Sequence, residues 1–493
     1  MKQAVVLIHG IGEQKPMETL RRFVSAVLPP AEDGQEAYFS KPDRMSELFE
    51  LRRLKSRGRT KTDFYEYYWA YNVDGTKLSH LARWFVGLLF RRWRNIPSGL
   101  KSVWLFSWSI VIALAALTSL GYAAYIGEWI AAQPYYGPVW IITVLTLTAL
   151  QGFLVYYVGD AARYLSPSPR NIALRQKIRT EGLQLLRHLH RSKEYDRIVV
   201  VGHSLGSVIG YDLITRLWIE YNSVYDFKSR ANTLAACLSE HKPPQPIIGH
   251  RLFEAGQALS PDGNGEALQS FRCAQFEGWK EQRTWGNPWR VSDFITIGSP
   301  LAHAVLLLAS DRQDFNARKA QRELPTCPPV RDRKGYGYVD EVPRDLGNGR
   351  RFSPHILHHG AAFAVTRWTN LYCPAYLGLF GDIIGGPLRD VFGAGITDVP
   401  TKVHGWRRWT LLAHTAYWSG ETPAVRTTEP GNEPRYALDA LKDALGLEQL
   451  RQFRIEDRLP PSGKQDKREQ PDLAAQGPPV SEGSTPASRG AVS

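Results

Sequence analysis

The pentapeptide Gly202-His203-Ser204-Leu205-Gly206 lies between an apolar run at 198–201 and a helix-like segment at 208–218. Strand, glycine-flanked turn and helix in that order display a serine hydroxyl at the carboxyl end of a sheet, because the glycines permit a turn that side chains would block. A hydroxyl held this way becomes a nucleophile for acyl transfer once a base takes its proton. The pentapeptide alone also fits a plain glycine-rich connection, so its partners must be found elsewhere in the chain. Acyl transfer builds negative charge on a carbonyl oxygen, and that charge needs fixed backbone N–H donors. His9-Gly10-Ile11-Gly12 directly follows a short apolar strand at 4–8 and offers one such donor; the residue after the serine offers the other. The expected donors are the amides of Ile11 and Leu205, with His9, Gly10, Gly12, Gly202, His203 and Gly206 shaping the two turns.

A base, and an acid to orient it, are expected downstream. A β-prone run at 368–372 leads to Asp382 in Gly381-Asp382-Ile383-Ile384-Gly385-Gly386, and His414 follows in Ala413-His414-Thr415-Ala416-Tyr417-Trp418. The expected set is Ser204 as nucleophile, His414 as general base and Asp382 as the acid that fixes the histidine tautomer, with Asp390 and Asp398 as open alternatives. His355, His358 and His359 beside Gly360 lack Cys or carboxylate at metal-ligand spacing and read as a polar loop or helix start. No metal and no cofactor are expected.

These pieces resemble the serine lipase and esterase branch of the α/β-hydrolase superfamily, close to bacterial lipases with an H-G-I-G oxyanion loop and to the GPI inositol-deacylase type. The resemblance is carried by residues 9–12, the turn at Ser204, the strand and turn at 294–301, and the Asp382 and His414 loops, and runs from residue 4 to about 420. It implies an α/β-hydrolase fold and hydrolysis of a carboxylic ester, foremost of a membrane lipid, through an acyl-enzyme. Cys373 departs from the pattern, since such enzymes often carry an aspartate just after that strand. Two other readings stand beside it: a tethered esterase or thioesterase acting on a soluble substrate, and a non-catalytic membrane scaffold.

The elements that must position these residues alternate: strands at 4–8, 64–69, 198–201, 293–297 and 368–372, and a helix at 171–190 before the serine turn. Alternation of this kind predicts an α/β architecture, a mainly parallel sheet with helices on both faces. It divides the chain into a first part at 1–76, a remainder at 160–420 with cap or lid insertions at about 221–290 and 305–360, a C-terminal extension at 421–458 with a helix at 436–453, and a disordered tail at 459–493. The tail is rich in Pro, Gly, Ser, Gln and charge, a composition that cannot bury enough apolar surface to order itself.

Between the two parts, residues 103–126 and 138–158 carry no charge, and each is long enough to cross a bilayer core as a helix. The expected insertion at 102–159 is therefore a transmembrane hairpin. Arg91, Arg92, Arg94 and Lys101 precede it, Arg163 and Arg170 follow it, and its loop has no Lys or Arg, which puts the flanks and both termini in the cytoplasm, foremost at a bacterial inner membrane. Trp104, Trp108, Trp129, Tyr135, Tyr136, Trp140, Tyr156 and Tyr157 fall near the span ends, as an interfacial belt requires. Residues 77–101 hold a basic amphipathic stretch suited to the membrane surface. The formal net charge of +13 fits an anionic bilayer and also nucleic acid, but no zinc-finger, RNP-like or helix-turn-helix pattern accompanies it, so no nucleic-acid partner is expected. Four scattered cysteines without paired spacing point to reduced thiols.

Overall fold

The computed structural model describes residues 2–10, 15–28, 36–45, 50–57, 61–72, 169–225, 249–260, 265–332, 337–341, 344–345, 351–352, 355–376, 380–419 and 435–447, with isolated positions between 48 and 164. All of them belong to one contact unit, Met1–Ile455.

Runs of Val, Ile and Leu without alternation make strands buried on both faces, as a sheet covered by helices on each side demands. β1 (Lys2–Ile8), β5 (Arg197–His203) and β6 (Val291–Ile297) are of this kind, and nearly every residue in them is buried. With β2 (Tyr38–Pro42), β3 (Arg52–Ser56), β4 (Lys61–Tyr67), β7 (Arg367–Tyr372), β8 (Thr397–Lys402) and β9 (Arg435–Tyr436) they form a nine-stranded sheet in the order β9-β8-β7-β6-β5-β1-β4-β3-β2. Every pair from β9 to β4 is parallel; β3 and β2 add an antiparallel edge. The α/β expectation therefore holds. The edge hairpin was not expected: its strands are short and rich in Lys and Arg, a composition that protects an open sheet edge and hides the strand from a hydropathy pattern.

On one face, α2 (Pro169–Arg191), α3 (Leu205–Tyr221) and α5 (Gly265–Thr284) pack onto Ala4, Val6, Ile8, Ile198 and Val200; α4 (Gly249–Gln257) lies beside α5. On the other, Leu20, Phe23 and Val24 of α1 (Glu18–Val27) and Leu438, Leu441 and Leu445 of α6 (Ala437–Leu445) cover Val5, Leu7, Val199 and Val201. Part of the expected cap at 221–290 belongs to this layer. Phe271 and Trp279 of α5 are core residues, and Gln275 Nε2 donates to the Phe363 carbonyl at 2.7 Å. Burying such aromatic side chains contributes on the order of 2–3 kcal/mol each.

The described part of the C-terminal extension is helical over Ala437–Leu445. The amphipathic stretch and the first expected span are described only at isolated positions, and the second expected span and the tail lie outside the described residues. No helix among the described residues is long and apolar enough to cross a membrane. The chain leaves β4 at its carboxyl end through Asn72, whose Nδ2 donates to Glu181 at 2.6 Å, and re-enters at the start of α2, which runs back to the amino end of β5. Residues 73–168 are thus joined to the carboxyl end of the sheet.

Candidate active site

β5 ends at His203 and α3 begins at Leu205, so Ser204 alone makes the turn between them. Its backbone sits at φ 52°, ψ −128°, a conformation that costs a non-glycine residue on the order of 1–3 kcal/mol and persists only where its surroundings enforce it. Here they do. Ser204 N–H donates to the Ile297 carbonyl at 2.9 Å, and the Ser204 carbonyl accepts from Ser207 N–H at 2.9 Å and Ser207 Oγ at 2.6 Å. The neighbouring glycines follow from close approach: a Cβ on Gly206 would lie 2.1 Å from the Ile8 carbonyl oxygen, and one on Gly202 2.5 Å from Ser207 Cα. As the first helical residue, Leu205 has an amide with no acceptor within the helix, at the positive end of the α3 dipole.

Of the second turn, His9 and Gly10 are described and Ile11 and Gly12 lie outside the described residues. Gly10 backs onto the serine, since a Cβ there would come 2.8 Å from Ser204 Cβ. His9 is buried against Trp69, with ring centroids 5.3 Å apart, and its Nδ1–H donates to the Gly10 carbonyl at 2.9 Å. Burial lowers its pKa to about 4, partly offset by that hydrogen bond, so the ring is neutral at physiological pH.

Asp382 and His414 come together although 32 residues separate them: His414 Nδ1–H donates to Asp382 Oδ1 at 3.0 Å. Asp382 is wholly buried and accepts three further hydrogen bonds, from the amides of Ile384 and Gly385 at 2.9 Å each and from the Tyr417 hydroxyl at 2.6 Å. Burial pushes the carboxyl up, but His414 and these donors outweigh it and hold the carboxyl well below its ordinary range. With Nδ1 engaged, Nε2 is the ring nitrogen left for a hydroxyl, and it is buried with no hydrogen-bond partner among the described residues. No hydrogen bond joins it to Ser204 Oγ; serine–histidine bonds of this kind commonly tighten only around substrate.

His203 links the two parts. Its ring stacks on that of His414 with centroids 5.1 Å apart, and its Nε2–H donates to the His414 carbonyl at 2.9 Å. Burial, then the neighbouring His414, lowers its pKa to about 3, so it is a neutral strut. The glycine after β6 is required as well: Gly298 has φ 55°, and a Cβ on it would lie 2.9 Å from Asp382 Oδ2 and 3.0 Å from His414 Nδ1.

The alternative acids are placed elsewhere. Asp398 caps the chain at 388–389, accepting from the amides of Leu388 and Arg389 at 2.9 Å each and from Asn370 Nδ2 at 2.7 Å, while Asp390 is exposed. His358 is buried, its Nε2–H donating to the Val330 carbonyl at 2.8 Å, and braces a loop.

Two residues of the site escaped the sequence reading. Tyr417 bridges Asp382 and the Cys373 amide, which donates to its oxygen at 2.9 Å. Its signal was the three-residue spacing from His414, the separation one turn spans, with Tyr417 following just after the 3₁₀ turn Leu411–Thr415. His303 pins the acid loop through Nε2–H to the Ile383 carbonyl at 3.1 Å, and nothing local in the sequence marks it.

The arrangement can take a proton at His414 Nε2 while Asp382 stabilises the imidazolium. No protein-family model, curated protein or solved structure matches this chain, so its function must be argued from this geometry.

Proposed function

We propose that this chain is a membrane-anchored serine hydrolase of the α/β-hydrolase fold that cleaves a carboxylic ester of a membrane lipid. The reading is carried by the Asp382–His414 hydrogen bond at the same sheet end as the strained Ser204 turn. His414 Nε2 takes the Ser204 hydroxyl proton as Oγ attacks the ester carbonyl; the oxyanion is held by the amide of Leu205 and that of Ile11. The imidazolium returns the proton to the departing alcohol, leaving an acyl-serine. Water, deprotonated by the same histidine, then releases the carboxylic acid.

The membrane component rests on the uncharged segments 103–126 and 138–158, read as a two-span hairpin with cytoplasmic flanks. Their attachment through residues 73–168 to the carboxyl end of the sheet supports an ester substrate drawn from the leaflet.

A fluorophosphonate probe tests the chemistry. Wild type is expected to be labelled at Ser204, and Ser204→Ala to lose both the label and several powers of ten in short-chain ester turnover. Retention of more than about a tenth of wild-type turnover in that variant overturns the assignment.

A further inference from the structure

The two loops that deliver the acid and the base share an exposed surface of aromatic rings and arginines. After β7, Tyr376 and Phe380 close on each other through backbone hydrogen bonds of 2.6 and 3.0 Å, two residues before Asp382. After β8, Trp406, Trp409 and Leu412 lie on the 3₁₀ turns that lead to His414. All five side chains are exposed, Trp406 to 66%. The loops meet: the Tyr376 and Trp409 ring centroids are 4.8 Å apart, and a Cβ on Gly381, at φ 103°, would lie 3.6 Å from the Arg408 carbonyl oxygen.

Large apolar side chains gathered in one exposed patch beside a site mark a surface that meets a partner. The charge around them selects which. Arg407 is exposed, Arg408 stacks over Trp409 at 4.3 Å, and neither has a carboxylate partner among the described residues. The sequence from 399 to 420 holds three cations, Lys402, Arg407 and Arg408, and no Asp or Glu. Tryptophan and tyrosine favour the headgroup level of a bilayer, and arginine favours an anionic leaflet. The uncharged segments 103–126 and 138–158 are joined to this same end of the sheet.

We propose that Phe380, Trp406, Trp409 and Leu412, with Arg407 and Arg408, dock on the headgroup region of an anionic lipid bilayer and bring the Asp382–His414 end of the sheet against the leaflet. This rests on the lipid-ester reading and adds the surface through which that substrate is reached.

The full chain, with Cys237 and Cys273 replaced by serine, is reconstituted in vesicles of phosphatidylcholine alone or mixed with phosphatidylglycerol. An environment-sensitive fluorophore is placed through Trp406→Cys or, at the amino end of the sheet, through Lys61→Cys. The label at 406 is expected to be quenched by spin-labelled lipid, more strongly in the anionic vesicles, and the label at 61 to stay in water in both. A label at 406 as water-exposed as that at 61 in both vesicles overturns the proposal and leaves the surface to an acidic protein. In parallel, the double variant Trp406→Ser, Arg407→Glu is expected to lose about tenfold or more on a vesicle-borne ester, through lost local concentration, and to keep its rate on a soluble short-chain ester. Equal rates of wild type and variant on the vesicle-borne ester count against docking. Fluorophosphonate labelling separates the two claims: quenching without labelling sinks the hydrolase alone, and labelling without quenching sinks the docking alone.

Discussion

Two buried aspartates stand at opposite ends of neighbouring strands, and both are held ionised by different means. Asp293, near the amino end of β6, is gripped by Arg197 Nη2 at 2.6 Å and Arg367 Nη2 at 2.8 Å, with Ser292 Oγ at 2.6 Å. Asp382, beyond the carboxyl end of β7, has His414, the Tyr417 hydroxyl and two backbone amides. Burial pushes both carboxyls up, and in both the partners win and hold them well below the ordinary range. A depressed carboxyl is therefore no mark of catalysis by itself. The partner decides: guanidinium groups keep their charge at every physiological pH and make a fixed strut, whereas a histidine can change charge during a reaction.

The sharpest way to break this comparison is to neutralise each aspartate in turn. Asp382→Asn leaves the fold and removes the charge that stabilises the imidazolium, so turnover is expected to fall by roughly 10⁴, the size that loss of the triad acid has in serine proteases. Asp293→Asn leaves the buried Arg197 and the half-buried Arg367 facing a neutral amide, and breaking a buried pair such as Arg197–Asp293 costs about 3–5 kcal/mol. Denaturant unfolding is expected to show that loss with turnover per folded molecule retained. The sign of its pH dependence is set by the depressed carboxyl: its stabilisation is present above the ordinary carboxylate pKa and is lost as pH falls through the depressed value. If Asp293→Asn cripples turnover and Asp382→Asn spares it, the two ends have been assigned the wrong way round.

A third buried carboxylate sharpens the contrast because it has no charged partner among the described residues. Glu66, near the carboxyl end of β4, accepts the Met17 amide at 2.6 Å through Oε2, while Oε1 is buried with no partner among the described residues. Burial raises its pKa from 4.5 to about 7, against that one hydrogen bond. The folded state then binds a proton that the unfolded state releases, so stability is expected to fall as pH rises from about 4.5 to about 7. Glu66→Gln should remove a pH-dependent loss on the order of 1–3 kcal/mol, read as melting temperatures at pH 5 and pH 8. Identical pH profiles for variant and wild type would show that this carboxyl is ionised in the folded protein as in the unfolded.

What the sequence disclosed follows the same division between local and long-range causes. The Ser204 turn was legible because the space beside Gly202 and Gly206 is set by the turn and the adjoining strand. The parallel sheet was legible from uninterrupted apolar runs such as 198–201. Asp382 and His414 were legible as candidates through their chain order, and their contact rests on how β7 and β8 lie in parallel register, with Thr369 beside Thr397. The arginine clasp on Asp293 was hidden, since its residues lie at 197, 293 and 367 with no local pattern. α5 falls within the insertion that the sequence predicts at 221–290, because its anchor, the Phe363 carbonyl on Gln275, lies 88 residues away.

Tyr417 is the smallest lever on the comparison and the most discriminating. Its hydroxyl donates to Asp382 Oδ2 while its oxygen accepts the Cys373 amide, so it ties the acid to the end of β7 without contributing charge. Tyr417→Phe keeps the ring and deletes one of four hydrogen bonds to the carboxylate, a loss of about 1–2 kcal/mol where the acceptor is charged. Turnover is expected to drop about tenfold with KM unchanged, because the residue positions the acid and does not meet the substrate. With one donor gone, the carboxylate is a stronger acceptor toward the imidazolium it stabilises, so the acid edge of the rate profile should move to higher pH. A merely structural tyrosine would lower the melting temperature and leave that edge where it was. A KM that rises while the pH profile stays fixed would place Tyr417 on the substrate side of the site, and the positioning role would fail.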